Sequence, residues 1–199
     1  MTRPTYPRRA AQHEDAAGDV LHRFALRTGW NPSLPVPVEQ ILEEAGLTIL
    51  CEEIDEPEGA MILGALEPAT GIVRLNERHM ALFDSVIGPE RFTYAHELGH
   101  WTYDAVDGRT QASLFGAAAP AEPVLCRTRS ASETADIREI NANGFASALL
   151  LPEALLRAEV RTGFSSRPAF NTAAASWGVS KTTLRIRLEK LGLAGIVPQ

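Results

Sequence analysis

The sequence lacks the features that mark several protein classes. It has only two cysteines, Cys51 and Cys126, which are too few for a disulfide framework and do not match a zinc-knuckle spacing. No apolar run reaches the roughly 18 residues that a membrane span requires. The N-terminal stretch carries basic residues with no apolar run behind them, which is not the pattern of a secretory signal. These absences predict a cytoplasmic protein with reduced thiols and no membrane association.

Positive charge is also scarce over most of the chain. The net charge of −6 over 199 residues argues against a dedicated nucleic-acid-binding or membrane-surface protein. The distribution is uneven, because seven Lys/Arg and two Asp/Glu occur from Ala154 onward, a formal +5 that leaves −11 for residues 1–153. The length and the apolar fraction of 45% are typical of one soluble domain, or of one domain with a small appendage.

Apolar periodicity predicts helices and strands in an order typical of an α+β protein. A first helix spans about residues 11–28, and a short helix, a strand and a β-hairpin follow it. Two further helices carry "PERFTYAHELGHWTYDA" and "REINANGFASALLLP", with a long loop over residues 107–134 between them. The chain then contains "AAASWGVSKTTLRIRLEKLGL", which predicts a helix, a turn and a second helix. We expect these helices to flank a small mixed sheet.

Two histidines and a glutamate stand out in the first of these two helices. His96 and His100 are four residues apart, so a helix places them on one face, about 5–6 Å apart at Cβ, where both reach one metal ion. Glu97 points about 100° away from His96 and borders that ion. The H-E-x-x-H pattern therefore indicates two metal ligands and a general base, and Gly99 leaves room for another segment to approach. The alternative is a chance spacing of ordinary histidines, which the apolar helical context disfavours.

A catalytic zinc requires a third protein ligand. The acidic candidates are Asp104, Asp107, Glu133, Asp136 and Glu139, while His13, His22 and His79 lie upstream and are less favoured. Asp104 would extend the ligand stripe over two helical turns, about 11 Å, which is too long for one ion. Glu139 is favoured over Asp136 because it begins an otherwise uncharged apolar helix, where an unpaired carboxylate is costly. Asn143, four residues further on, is placed to accept a hydrogen bond from the outer nitrogen of a ligating histidine.

The two motifs together resemble the ImmA/IrrE metallopeptidases. The family pattern is R-F-T-x-A-H-E-x-x-H followed by E-x-x-A-N-x-F-A-x-x-L-L-x-P, and this chain has "RFTYAHELGH" and "EINANGFASALLLP" in that order. The resemblance covers about residues 35–195. One departure is "WTYDA" after the first motif, where many members have another histidine.

The resemblance implies a zincin-like α+β fold and metal-dependent hydrolysis of peptide bonds. His96, His100 and Glu139 would hold zinc, or manganese or another divalent metal, and Glu97 would be the general base toward a metal-activated water. The family also implies that the substrate is a specific regulatory protein, a DNA-binding repressor or an antitoxin. We therefore divide the chain into an N-terminal arm and helix (1–34), a metallopeptidase domain (35–153) and a helix-turn-helix-like module packed on it (154–199).

The C-terminal module allows a second interpretation. The cations expected on the outer face of its second helix are Lys181, Arg185, Arg187 and Lys190. This pattern is typical of a DNA-recognition helix, but it also suits a helical bundle that completes the core or docks a partner. The alternative function is therefore a non-catalytic regulator or toxin–antitoxin component that binds nucleic acid or a partner. Direct DNA contact is the less favoured hypothesis.

Further residues are candidates for contacts with the substrate. The strand "GIVRLN" at residues 71–76 is expected to be the exposed edge to which an extended peptide adds by backbone hydrogen bonds. Tyr94, Tyr103 and Arg127 are candidates for polarising the scissile carbonyl, although most aromatics at helical spacing are core residues. Cys126 is a candidate for an inhibitory metal ligand, although a lone cysteine is usually buried as a small apolar residue.

Overall fold

The fold is α+β, with eight helices and a four-stranded sheet in the residues that the computed structural model describes, 10–106, 124–127 and 137–198. The helices are α1 (Ala10–Thr28), α2 (Val38–Glu44), α3 (Met80–Ser85), α4 (Pro89–Val106), α5 (Ile137–Leu150), α6 (Glu153–Glu159), α7 (Arg167–Ser176) and α8 (Lys181–Lys190). The strands are β1 (Thr48–Glu52), β2 (Ile62–Glu67), β3 (Ile72–Asn76) and β4 (Val124–Arg127), and two 3-10 turns cover Glu77–His79 and Ala194–Ile196. Within these ranges, no helix combines the length and apolarity needed to cross a bilayer.

Most of the predicted elements are confirmed. α1, α2, α4 and the first three strands cover the stretches that their periodicity indicates, and α5, α7 and α8 follow in the expected order. The sequence pattern does not predict the short helices α3 and α6. They have only 6 and 7 residues, which is less than two turns and too short for a helical period to be distinctive.

The sheet has the order β1-β3-β2-β4, in which β1 is parallel to β3 and the other pairs are antiparallel. The predicted hairpin of β2 and β3 is confirmed, and Gly71 closes its turn with φ of 68°. The prediction that residues 71–76 form an exposed edge is wrong, because β3 is hydrogen-bonded to β1 on one side and to β2 on the other. Among the described strands, the two edges are β1 and β4.

Two glycines allow the close packing of α4 between the sheet and α5. A Cβ at Gly64 in β2 would lie 2.5 Å from Thr93 Cγ2, so glycine is required where α4 lies on the strand. A Cβ at Gly99 in α4 would lie 3.1 Å from both Ala142 Cα and Phe145 Cδ1. The close approach expected at Gly99 is therefore confirmed, and the segment that approaches is α5.

Arg91 fixes the start of α4 against segments that are distant in sequence. Its guanidinium donates to the Glu39 carboxylate at 3.2 Å and to the Val36 carbonyl oxygen before α2. Gly178 in the α7–α8 turn has φ of 66°, and a Cβ there would lie 2.6 Å from Arg91 Nε. Gly178 thus provides both the left-handed turn and the room for this arginine.

The C-terminal helices contribute to the same core as α1 and the sheet. The Ser180 hydroxyl caps α8 by accepting a hydrogen bond from the Thr183 amide at 3.0 Å, as the sequence predicts. The largest buried apolar side chains after residue 154 are Leu156, Val160, Phe170, Trp177, Val179, Leu184 and Leu188. The three-part division of the chain remains a prediction, and one buried apolar cluster contains residues from all three parts.

The expectation that Arg187 lies on the outer face of α8 is wrong. Arg187 is 4% exposed, forms an ion pair with Glu14 at 2.6 Å and donates to the Leu151 carbonyl oxygen at 2.9 Å. It therefore joins α8 to α1 and to the end of α5. The exposed cations of α8 are Lys181, Arg185 and Lys190.

Candidate metal centre

The H-E-x-x-H segment lies in the middle of α4 and is buried. His96, Glu97 and His100 are 1%, 0% and 2% exposed. The Nε2 atoms of His96 and His100 are 3.0 Å apart, and the two ring planes are inclined at 75°. One helical turn between the two histidines thus brings their outer nitrogens to a single point, as their spacing predicts.

α5 brings a carboxylate to the same point. Glu139 Oε2 lies 3.2 Å from His96 Nε2, and Glu139 Oε1 lies 3.2 Å from His100 Nε2. In the described part of the chain, this is the one group of three metal-ligand side chains whose donor atoms all lie within 4.8 Å of one another. The Glu139 side chain is 29% exposed, so the cluster is accessible from its side.

Asn143 orients His96 from behind. Its Oδ1 lies 3.1 Å from His96 Nδ1, which is the contact expected from its position four residues after Glu139. Because an amide oxygen is only an acceptor, His96 Nδ1 is the donor, and this bond holds the ring with Nε2 directed toward Glu139. Outer hydrogen bonds of this kind fix the tautomer and orientation of histidines that bind metals.

The arrangement of donors fits a divalent metal. Two imidazole nitrogens and a carboxylate converge at 3.0–3.2 Å, and electron pairs brought together this closely require a cation or a proton between them. In a tetrahedral zinc site, bonds of about 2.0–2.1 Å place neighbouring ligand atoms roughly 3.3 Å apart. The observed separations are close to this value, and three protein ligands leave a fourth position for water or substrate.

The protonation states also suit a cation. Burial by itself raises the pKa of Glu139, but hydrogen bonds with His100 and His96 outweigh it and bring the pKa to about 2. Burial lowers the pKa of His100, against the opposing effect of the Glu139 hydrogen bond. Glu139 is therefore ionised and His100 neutral near pH 7, as metal ligands must be.

Glu97 is a second carboxyl group at the site, outside the cluster of three converging donors. Burial raises its pKa well above the ordinary value, and the neighbouring Glu139 carboxylate raises it further. The backbone of Leu66 opposes this shift in part, yet no described group makes a hydrogen bond of ordinary geometry to either Glu97 oxygen. A buried carboxyl group without such a partner is a common sign of a functional site.

Glu97→Gln is expected to stabilise the metal-free protein at neutral pH. Because the pKa of Glu97 is higher in the folded state, the folded protein binds the extra proton, and the stability that Glu97 contributes falls as pH rises above 4.5. We therefore expect the substitution to raise the free energy of unfolding at pH 7 and to change it little at pH 4. Urea unfolding of both metal-free proteins between these pH values measures the difference. A difference that does not change with pH contradicts the raised pKa.

The two tyrosines that are candidates for carbonyl polarisation have other partners. Tyr94 is buried, its hydroxyl donates to Glu90 at 3.0 Å, and its pKa is raised by burial and then by Glu90. The Tyr103 hydroxyl lies 2.6 Å from His13 Nδ1. Both hydroxyls therefore contact side chains other than the three ligands.

The remaining candidate ligands are not brought to the cluster in the described residues. His79 Nε2 lies 2.6 Å from Glu56 Oε1, and His22 is exposed on α1. The side chains of Asp104, Cys126 and Arg127, and the whole of Asp107, Glu133 and Asp136, lie outside the described residues.

Gly64 is a residue of the site that was not among the predicted site residues. A Cβ at this position would lie 3.8 Å from Glu97 Oε1, so the absence of a side chain keeps space between β2 and the carboxyl group. An isolated glycine inside a predicted strand signals the close approach of another segment. That signal is present in "ILGALE".

Comparison with protein families agrees with this geometry. A model of a peptidase family, described as the IrrE N-terminal-like domain, matches residues 42–189. The match includes both motifs and confirms the resemblance on which the metallopeptidase prediction rests, while α1 lies before it. No curated protein matches the chain.

Proposed function

Because the chain belongs to the IrrE N-terminal-like peptidase family, we propose that it is a zinc-dependent endopeptidase that cleaves a specific regulatory protein. The observation that carries this proposal is the convergence of His96, His100 and Glu139 beside the buried carboxyl group of Glu97. Two imidazoles and one carboxylate are a donor set that suits zinc, with manganese or another divalent ion as the alternative.

Each group of the proposed site has its own role in the hydrolysis of a peptide bond. When bound, the metal polarises the scissile carbonyl and lowers the pKa of water toward 7. Glu97 takes the proton from the attacking water and delivers it to the leaving nitrogen. Its raised pKa favours this role, because a general base works best when its pKa is near the working pH. Asn143 keeps His96 in the tautomer that leaves Nε2 free for the metal.

The corrected strand order changes where the substrate is expected to bind. β3 is interior, whereas β4 is an edge strand paired with β2 through Gly64 and Cys126. Gly64 faces Glu97, so the backbone of β4 runs one strand spacing, about 4.8 Å, from the strand that lines the site. We assign the docking of an extended peptide to the edge of β4 that pairs with no described strand, where backbone hydrogen bonds give affinity with little side-chain specificity.

Specificity must therefore come from contacts outside this edge. Lys181, Arg185 and Lys190 project from α8 as exposed cations on a chain that is otherwise acidic. They suit an acidic surface of a folded partner, and the partner class that we propose is a DNA-binding repressor or an antitoxin. Arg187 is excluded from this surface because it is buried.

The test is cleavage of candidate regulators by the purified zinc-loaded protein. We expect a single cut in a cognate regulator, weak or no digestion of casein, and loss of the cut with a chelator. Lys181→Glu, Arg185→Glu and Lys190→Glu combined are expected to weaken the cut at unchanged zinc content, with a matched charge reversal at the exposed Arg161 as control. Efficient digestion of any unfolded protein contradicts the specificity and indicates a general peptidase.

The DNA-binding alternative is weakened by two contacts. A Cβ at Gly88 would lie 2.5 Å from the Ser180 amide, so the start of α8, where a recognition helix reads bases, is packed against the loop before α4. Arg187 is also unavailable for phosphate contacts because it is buried and ion-paired. Duplex binding that is salt-dependent and requires Arg185 would nevertheless favour the alternative.

A further inference from the structure

α1 lies before the residues that the family model matches, yet one of its side chains contacts both helices that carry the candidate ligands. His13 is 7% exposed, and its Nδ1 lies 2.6 Å from the hydroxyl of Tyr103, 90 residues away in the chain. Tyr103 follows the ligand His100 by three residues on α4, and its ring packs edge-on against Phe145 of α5, with 5.8 Å between the ring centroids. His13 therefore bonds to the active-site helix at the point where that helix meets α5.

The same imidazole also contacts α5 directly. A Cβ at Gly144 would lie 2.5 Å from both Cδ2 and Nε2 of His13 and 2.9 Å from its Cε1. No residue with a side chain fits at 144 unless the ring moves. Gly144 directly follows Asn143, whose Oδ1 holds His96, and lies five residues after Glu139. The imidazole ring of His13 therefore lies between the Tyr103 hydroxyl on α4 and the backbone of Gly144 on α5.

The metal centre depends on the relative position of these two helices. His96 and His100 come from α4, whereas Glu139 and Asn143 come from α5, and the donor atoms meet at 3.0–3.2 Å. A functional site tolerates a displacement of only about 0.5 Å before ligand geometry is lost. The two helices approach closely at Gly99, where the backbone of α4 lies against Ala142 and the ring of Phe145.

We propose that His13 is a positioning residue of the metal centre, which holds α5 against α4 through Tyr103 and Gly144 and so sets the spacing of the ligands. This inference rests on the metal-dependent function proposed above. Its two contacts are of different kinds, a hydrogen bond at Nδ1 and a steric contact along the Cδ2–Nε2–Cε1 edge. A residue that only filled the core would require neither a polar ring nor a glycine opposite it.

The test measures the zinc affinity of the folded protein by competition with a chromophoric chelator. His13→Ala and Tyr103→Phe are expected to weaken zinc binding by roughly 10-fold, the lower end of the range seen when a direct hydrogen-bond partner of a metal ligand is removed, because they act one contact further away. Gly144→Ala is expected to weaken it similarly, because the new methyl group displaces the ring. In the double variant His13→Ala/Gly144→Ala the collision is absent, so its zinc affinity is expected to be no lower than that of His13→Ala alone.

Two controls separate positioning from ordinary stability. His22→Ala removes an exposed histidine from the same helix and is expected to leave zinc binding unchanged. Val160→Ala removes buried apolar volume at the end of α6 and is expected to lower the melting temperature without changing the zinc affinity below it. Circular dichroism at the assay temperature confirms that every variant is folded, and Tyr103→Phe serves as the mild variant if His13→Ala unfolds.

The possible results are distinct. If wild type binds zinc and the His13, Tyr103 and Gly144 variants bind it within twofold of wild type, the positioning role is overturned while the proposed function stands. If the double variant loses as much zinc-binding free energy as the two single variants lose together, the contact between His13 and Gly144 is also overturned. If wild type binds no divalent metal, the proposed function fails, and this inference fails with it.

Discussion

Glu97→Gln is expected to retain zinc and to lose cleavage of the cognate regulator by roughly 10²- to 10⁴-fold, the contribution of a general base. The glutamine keeps the shape of the side chain but cannot take up a proton. Because Glu97 lies outside the three converging donors, its substitution leaves the ligand set intact. Zinc content by atomic absorption and cleavage rates on the same preparation measure the two effects separately.

Substitution of the ligands is expected to give the opposite pattern. His96→Ala, His100→Ala and Glu139→Ala each remove one of three donors and are expected to abolish both bound zinc and cleavage. Asn143→Ala removes only the outer partner of His96, so we expect a partial loss of zinc affinity, roughly 10- to 100-fold. Glu77→Gln, at an exposed carboxylate before α3, is the matched control for Glu97→Gln.

One result would redirect the search for the third ligand. Full zinc occupancy in Glu139→Ala would exclude Glu139 and favour Asp136 or Asp104. Loss of zinc in Glu97→Gln would instead show that Glu97 binds the metal itself, and the division between base and ligand would be wrong. The geometry argues against both results, since Glu139 touches both histidines at 3.2 Å.

The site was largely predictable because its spacing is local. A separation of four residues fixes His96 and His100 on one face of a helix, and the same rule relates Glu139 to Asn143. The pairing of the two helices was predictable from the desolvation free energy of a carboxylate. In an apolar helix a carboxylate requires a cation or a polar partner to offset that free energy. His13 carries no such signal, because its partners are brought to it only by the tertiary fold, 90 residues away in the case of Tyr103.

The errors have equally specific causes. Alternating apolar residues identify β3 as a strand, but they do not state which strands become its neighbours, and the parallel pairing with β1 depends on the path of the chain. The charge of Arg187 predicts an exposed position, although helical geometry puts the side chain within about 40° of the stripe formed by Leu184 and Leu191. Arg187 is buried because of its position next to that stripe. Its charge is balanced by the ion pair with Glu14.

Removal of residues 154–199 is expected to unfold the rest of the chain. The large buried side chains that would be lost are Leu156, Val160, Phe170, Trp177, Val179, Leu184 and Leu188, which are 0–9% exposed. At about 1.5–3 kcal/mol for each large apolar side chain, their removal is comparable with the entire stability of a domain, typically 5–15 kcal/mol. The truncation also leaves Glu14 and the Leu151 carbonyl without Arg187, and Arg91 without the α7–α8 turn.

The measurement is the soluble fraction and the apparent size of residues 1–153 compared with the full chain, together with binding of a dye that reports exposed apolar surface. The combined charge reversal at Lys181, Arg185 and Lys190 is the control, because it changes the basic surface of α8 without removing any buried side chain. That variant is expected to remain folded and to bind zinc like wild type. A soluble truncated chain that binds zinc and cleaves the regulator would refute the structural role of the C-terminal helices. If residues 154–199 alone then bound duplex DNA, they would be an independent DNA-binding domain. A segment that folds and functions by itself does not need to pack its leucines into the core of the rest of the chain.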